Sequence, residues 1–283
     1  MKNRTNTGLV MIGIGLYKPW LDILEFGQEP TWLSDSRPDS LQILHVHAKK
    51  LSSIWQKFDK FHEKWRFKSR YSALLLRCAG EILLFPFRSK VPGWKVSTEL
   101  SLRDPAIEIQ IPDGYLSMKW KDLGLLKYYY EETNHDFLVI TTTSSYLNLR
   151  NLDLLLQQLP TSNTYYGPSP HTDAKFVSGS FRVISRDVAL AILENSKYMR
   201  ATLLEDVALG RLLNRLGISP SFFQITSFDS VSDLKAAQFE DLKHLVHFRL
   251  KTGTNEHRGD TELMRILHEK LNTSGVETWA ERE

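Results

Sequence analysis

The sequence predicts one α/β domain, a mostly parallel central sheet flanked by helices, and three observations carry that expectation. Short apolar runs that suit buried strands recur at Leu9–Leu16 (LVMIGIGL), Leu41–Val46 (LQILHV) and Asp136–Ile140 (DFLVI). Stretches of helical spacing lie among them, as at Met118–Glu132 and Asn151–Leu159. The 283 residues are enough for one large domain, with or without an appended subdomain.

Composition narrows the function classes. With 36 Lys and Arg against 33 Asp and Glu, the formal charge is +3 and the pI about 8.8. That is far from the concentrated charge of a dedicated nucleic-acid binder, so no nucleic-acid partner is expected. A local basic face still suits a nucleotide diphosphate, an acidic glycan or an anionic lipid surface. The single cysteine, Cys78, has no partner for an internal disulfide, which suits a reducing compartment. No segment of about twenty apolar residues occurs, so no transmembrane helix is expected. The start, MKNRTNTGLVMIGIGLY, is a poor signal peptide: its apolar core is short, broken by glycine and followed by Lys18, Pro19 and Trp20.

Taken in order, Leu9–Leu16 reads as a buried parallel strand delivering a loop to the carboxyl edge of the sheet, where ligands of open α/β sheets bind. Tyr17 and Lys18 then stand where a base or ribose would lie, or else on an ordinary surface loop. Leu41–Val46 is the second strand, and alternation puts His45 and His47 on one face. Two histidines without an evident third ligand do not make a metal site. Lys50–Lys90 is rich in Lys, Arg, Trp and Phe. Trp55, Phe58, Phe61, His62 and Trp65 there recur at helical spacing, as an aromatic face packed on the sheet with the basic face solvated. Residues 50–104 are expected to be an insertion or helical subdomain of a domain spanning 1–272, with 273–283 as a frayed tail.

Ile107–Ile111 (IEIQI) alternates as a strand, the helix Met118–Glu132 follows, and Asp136–Ile140 is the next strand. It runs into Thr141, Thr142, Thr143, Ser144, Ser145, Tyr146, Leu147 and Asn148. Asn151–Leu159 is a helix stopped by Pro160, and Tyr165–Pro168 a strand and turn. The most structured stretch is Phe176–Ile218. It holds a small-residue turn (Ser178, Gly179, Ser180), a strand and helix from Phe181 to Leu193, and the pair Glu205–Asp206 opening a helix that stops at Gly217. Carboxylates in a first helical turn are favoured by the dipole, so a cap is one reading of that pair. His247 lies in a late strand, and Asp260–Leu271 is a closing helix with an aspartate cap.

The order Ser178-Gly179-Ser180, Ser185-Arg186-Asp187, Glu205-Asp206-Val207 and Leu216-Gly217-Ile218 resembles the glycosyltransferases of the beta-1,3-galactosyl-, N-acetylglucosaminyl- and Fringe type. The resemblance covers roughly residues 105–220 and implies their GT-A fold, a Rossmann-like α/β architecture. Asp113, Tyr115 and Lys121 occupy the family's acidic-turn and lysine positions, with Lys121 toward the donor. The main departure follows Ile140: where the family carries metal-binding aspartates, this chain has Thr142, Thr143 and Ser144. Hydroxyls are poor ligands for Mg²⁺ or Mn²⁺ without carboxylates beside them, so neither a divalent metal nor any other cofactor is expected.

The resemblance therefore implies sugar transfer from a nucleotide-diphosphate donor to a hydroxyl of a glycan or glycolipid, inverting and metal-independent. Asp206 matches the family's base, and Glu205 would orient it or hold a sugar hydroxyl. The turn Ser178, Gly179 and Ser180 would admit the donor sugar closely. Thr142, Thr143 and Ser144 would hydrogen-bond the ribose or diphosphate. His247 is placed at the strand that closes over the diphosphate, with Arg249, Lys251 and Arg258 as cationic replacements for the metal. The competing reading is an inactive relative that binds nucleotide sugar or carbohydrate. Without the anchoring helix usual in eukaryotic relatives, the chain reads as cytoplasmic, with peripheral contact at the inner membrane surface, or as a piece trimmed of its anchor.

Overall fold

The computed structural model describes residues 6–50, isolated positions between 61 and 82, and residues 89–100, 102–114, 117–200, 202–253 and 258–280, with side chains to residue 272. In chain order the strands are β1 (Gly8–Gly13), β2 (Leu41–Lys49), β3 (Trp94–Val96), β4 (Ala106–Pro112), β5 (Phe137–Thr142), β6 (Ser145–Leu147), β7 (Tyr165–Ser169), β8 (Phe181–Ser185), β9 (Ser221–Gln224) and β10 (His247–Arg249). The described α-helices are α1 (Lys18–Ile23), α2 (Met118–Glu132), α3 (Leu149–Gln158), α4 (Arg186–Glu194), α5 (Glu205–Arg215), α6 (Val231–Ala236), α7 (Phe239–Leu242) and α8 (Asp260–Ala280).

Eight strands form one sheet in the order β3-β4-β2-β1-β5-β8-β7-β9, and β6 pairs with β10 in a separate antiparallel ribbon. The centre, β4-β2-β1-β5, is parallel; β8 turns antiparallel to β5, and β7 to β8, before β9 rejoins β7 in parallel. Leu9, Val10, Met11 and Ile12 of β1 are fully buried because helices cover both faces of the sheet. On one face Val10, Ile12 and Ile14 pack with Ile23, Leu152, Leu156, Leu263 and Leu267. On the other, Leu9 and Met11 pack with Leu123, Leu126, Val188, Ile192, Leu209 and Leu212. The α/β expectation is met.

The strand order places the functional edge. From β1 the chain moves outward to β2 and β4, then returns to the other side of β1 as β5. The carboxyl ends of β1 and β5 are therefore the switch point, the crevice where ligands of such sheets bind. Ile14 and the Thr/Ser run after Ile140 lie at those strand ends.

Several elements differ from expectation. β3 lies inside the stretch read as an insertion and pairs with β4 through Trp94↔Ile109 and Val96↔Ile107, at the edge of the sheet. The expected amphipathic helix over Trp55, Phe58, His62 and Trp65 falls outside the described residues, as does Tyr115. β6 was not anticipated, because its ladder is supplied by β10 about a hundred positions away. The closing helix α8 continues past Asn272 to Ala280, through most of the stretch expected to be a frayed tail.

Three segments have structural work. Arg186 donates to the carbonyls of Tyr130 and Thr133 at 2.7 Å each, capping the carboxyl end of α2, while Asp187 accepts from the Asn163 amide at 2.7 Å. Asn148 caps α3 by accepting from the Asn151 amide at 3.0 Å. Gly217 ends α5 with φ +75°, and the next amide, Ile218, donates back to the Leu213 carbonyl at 2.9 Å.

Candidate active site

Because β8 is antiparallel to β5, the turn before β8 meets the carboxyl end of β5, with Thr141 opposite Phe181. The Ser180 carbonyl accepts from the hydroxyls of Thr141 and Ser145, each at 3.1 Å. The turn and the Thr/Ser run are thus one hydrogen-bonded unit. Ser178 and Ser180 pair through their hydroxyls at 3.1 Å. The Gly179 amide donates to Asp206 Oδ2 at 3.2 Å, and the Val207 amide to Asp206 Oδ1 at 2.7 Å. A side chain at 179 has no room: a Cβ there would lie 2.6 Å from Glu205 Oε1.

Behind the acidic pair stands a residue that sequence reasoning missed. Alternation along β8 sends Phe181 and Val183 to one face and Arg182 to the other, toward α2. Arg182 is 2 % exposed at the side chain, and a guanidinium so buried must be paired. It donates to Asp122 Oδ2 at 2.5 Å and to Glu205 Oε1 at 3.4 Å. Glu205 keeps 13 % of its side chain accessible. Burial pushes its carboxyl up to about 7, with Asp122 and Asp206 adding to the rise and Arg182 opposing it. The available signal was a lone arginine within the apolar strand FRVIS.

Lys121 is buried, and its ammonium reaches the Ile14 carbonyl at 3.1 Å and Asp113 Oδ1 at 3.3 Å, bridging the ends of β1 and β4. Tyr17 flanks the start of α1 at the same edge. Thr142 contacts the Ser145 hydroxyl at 3.3 Å, and Thr143 is buried. Gln28, wholly buried, donates to the carbonyls of Thr142 at 3.2 Å and Ser145 at 3.0 Å, fixing this loop's backbone. Ser144 accepts from Arg258 Nη2 at 2.8 Å. Arg258 also pairs with the buried carboxylate of Asp260 and lies 4.5 Å over the Trp20 ring.

The Thr/Ser run itself brings no carboxylate to this edge. The run at 142–144 offers hydroxyls, Ser144 already faces a guanidinium, and that guanidinium's carboxylate partner, Asp260, is engaged. A different group comes closer to a ligand set. His47, Glu99 and Glu108 bring ligand atoms within 4.8 Å of one another at the β2–β4 edge. Lys95 occupies Glu108 at 3.3 Å and Ser97 the His47 ring at 2.6 Å. His45 is not part of that group: neither of its ring nitrogens has a partner among the described residues, and burial pushes it down to about 4.

His247 is placed apart from the acidic pair. It is buried, contacts Ser145 Oγ at 3.1 Å and packs on the Phe181 ring at 5.1 Å. It lines a cavity of about 380 Å³ with Tyr166 and Phe223, on the sheet face opposite Arg182. Burial, then the charge of Arg249, pushes its imidazole down to about 3. Arg249 pairs through its backbone with Ser145 and is partly exposed.

A family model described as Galactosyltransferase matches residues 171–223. The match takes in the Ser-Gly-Ser turn, Arg182 and the acidic pair, and leaves the Thr/Ser run outside. No curated protein is similar to the chain in sequence. Among solved structures, the glycosyltransferase GlyE of Streptococcus pneumoniae TIGR4 is 8 % identical, with 96 % of this chain and 64 % of that one covered at a TM-score of 0.44. Mouse xyloside xylosyltransferase 1 in its apo form is 6 % identical, with 89 % and 98 % covered at a TM-score of 0.41. The chain thus spans under two thirds of the length of GlyE.

Proposed function

We propose that this chain is a glycosyltransferase that moves a sugar from a nucleotide-diphosphate donor to a hydroxyl of a glycan or glycolipid, with inversion and without a divalent metal. One observation carries the reading. The acidic pair Glu205–Asp206 is fastened through Gly179 to the turn that caps the Thr/Ser run, at the switch point of the sheet. A base and a phosphate-facing loop are thereby held side by side, as displacement at an anomeric carbon requires. The Galactosyltransferase match over the same turn and acidic pair supports it.

Donor binding falls to the edge residues. Lys121 and Arg258 supply positive charge where the leaving diphosphate develops its own. Thr142, Thr143 and Ser144 supply hydroxyls, and Ser178, Gly179 and Ser180 a turn low enough for a sugar to approach. Tyr17 is the residue for the base or ribose. His247 and Arg249 act at one remove, through Ser145. One carboxylate of the acidic pair takes the acceptor proton. The reading places the protein in the cytoplasm, with peripheral contact to acceptor-bearing membrane.

The test is release of nucleoside diphosphate from UDP-, GDP- and TDP-hexoses, with and without glycan acceptors, in EDTA and then in Mn²⁺. Turnover in EDTA is expected. Tight donor binding without any release would favour an inactive binding relative, and turnover that needs Mn²⁺ would end the metal-free reading.

A further inference from the structure

We propose that His47, Glu99 and Glu108 form a binding site for a divalent transition metal, with Zn²⁺ the ion that fits best. This goes beyond the transferase reading and does not depend on it. Along the chain the two histidines of β2 have no third ligand beside them. The fold supplies two carboxylates, one from β4 and one from the turn after β3. One ligand atom from each of the three residues lies within 4.8 Å of the others. Ligands at about 2.0–2.1 Å from zinc stand about 3.3 Å apart, so side-chain shifts of about 1–1.5 Å complete the set.

The sheet register builds the site. Glu108 of β4 is opposite His47 of β2 on one side and Lys95 of β3 on the other. Directly opposed residues share a face, so the three stand in one row. His47 is 0 % and Glu108 3 % exposed, and a carboxylate so buried needs partners. The partners present can be displaced. Lys95 reaches Glu108 Oε1 at 3.3 Å from a side chain that is 58 % exposed, so its ammonium can swing into water. Ser97 Oγ lies 2.6 Å from His47 Nε2, and a hydroxyl can turn away.

What stays is the support that ligands need. His47 Nδ1 lies 3.3 Å from the Ala48 carbonyl, which suits a proton on Nδ1 and leaves Nε2 to ligate. Gln110 donates to Glu108 Oε1 at 2.8 Å and orients that carboxylate. The Glu99 amide donates to Ser97 Oγ at 3.3 Å, which bends the turn that carries the exposed Glu99. One imidazole and two carboxylates, with water completing the set, are donors that zinc uses. Mg²⁺ and Ca²⁺ take oxygen sets instead. The ion would tie β2 and β4 to the end of β3, the edge strand of the sheet. β1 separates these strands from β5 and its Thr/Ser run, so the ion is no stand-in for a diphosphate clamp.

The experiment is Zn²⁺ titration of the tag-free full chain after EDTA treatment and dialysis, read by calorimetry and by melting temperature. Folding of each variant is checked by circular dichroism. Wild type should take up one Zn²⁺ and melt about 5 °C higher at a hundredfold excess over Kd. Mg²⁺ and Ca²⁺ at the same concentration should leave the melting temperature unchanged. Glu99→Gln, at an exposed position, should weaken Zn²⁺ binding at least about tenfold. Glu108→Gln should weaken it as much or more. Lys95→Met should bind Zn²⁺ more tightly than wild type, because its ammonium competes for Glu108. A folded wild type without saturable uptake overturns the proposal. So does uptake that Glu99→Gln leaves unchanged, which marks adventitious binding at other surface groups, and so does a Lys95→Met variant that binds no more tightly. None of these readouts uses sugar transfer, so a chain that binds zinc and transfers nothing overturns the transferase reading alone.

Discussion

The Gly179 amide lies 3.2 Å from Oδ2 of Asp206, twenty-seven positions along the chain, so the turn before β8 and the first turn of α5 behave as one rigid piece. Gly179→Ala would push a methyl to 2.6 Å from Glu205 Oε1 and force the two apart. Turnover should fall at least about tenfold, since small misplacement of a reacting group is costly, while stability drops by only about 1–2 kcal/mol. Steady-state rates beside urea unfolding would check the pair of outcomes. Unchanged activity would mean the turn does not set the site.

The salt bridges at Arg182 make a second prediction. Arg182→Met leaves Asp122 and Glu205 without their shared cation in a buried site. Loss of one partner of such a group costs about 3–5 kcal/mol, so urea midpoints should drop sharply at pH 8. The deficit should shrink at pH 5, where Glu205 carries its proton without help.

Glu205 also predicts how stability follows pH. Its ordinary value is 4.5, and the fold lifts it to about 7. Between those values the folded chain holds a proton that the unfolded chain has released. Raising pH across that window therefore costs stability, and the contribution present below 4.5 is gone above 7. Glu205→Gln removes the penalty. The variant should be more stable than wild type at pH 8 by about 1–3 kcal/mol and nearly equal to it at pH 4, by urea unfolding at both. A stabilised but inactive variant would separate the role in catalysis from any role in folding.

Ser144 tests the donor edge without disturbing Asp260. Ser144→Ala removes one acceptor from Arg258 and leaves the Arg258–Asp260 pair intact. The donor KM should change by about two- to tenfold, the worth of roughly one hydrogen bond, with kcat little altered. A fall confined to kcat would put this hydroxyl at the reacting centre instead.

Gly217 gives a purely structural prediction. Its φ is +75° and nothing lies within 4 Å of a Cβ added there, so Gly217→Ala meets strain and no clash. The cost should be about 1–2 kcal/mol by thermal or urea unfolding, with turnover unchanged.

Much of this was legible in the sequence for a physical reason. Buried strands must be apolar on both faces, so LVMIGIGL, LQILHV and DFLVI announced β1, β2 and β5. Helix starts and stops are local, so Glu205 and Gly217 marked α5, and Met118–Glu132 was found with both ends in place. What could not be read is whatever pairs across distance. The ladder between β6 and β10 depends on register over about a hundred residues. β3 escapes notice because three residues carry no period long enough to see.

The site divides along the same line. Residue types and their order along the chain determined that there would be a small-residue turn, an acidic helix start and a hydroxyl run without carboxylates. Only the tertiary structure decided that Arg182 and Asp122, from different elements, stand behind Glu205, and that His247 belongs to the opposite face. Local propensity and capping act over a few residues. The desolvation and pairing of a buried charge depend on which distant groups the folded sheet brings within a few ångströms.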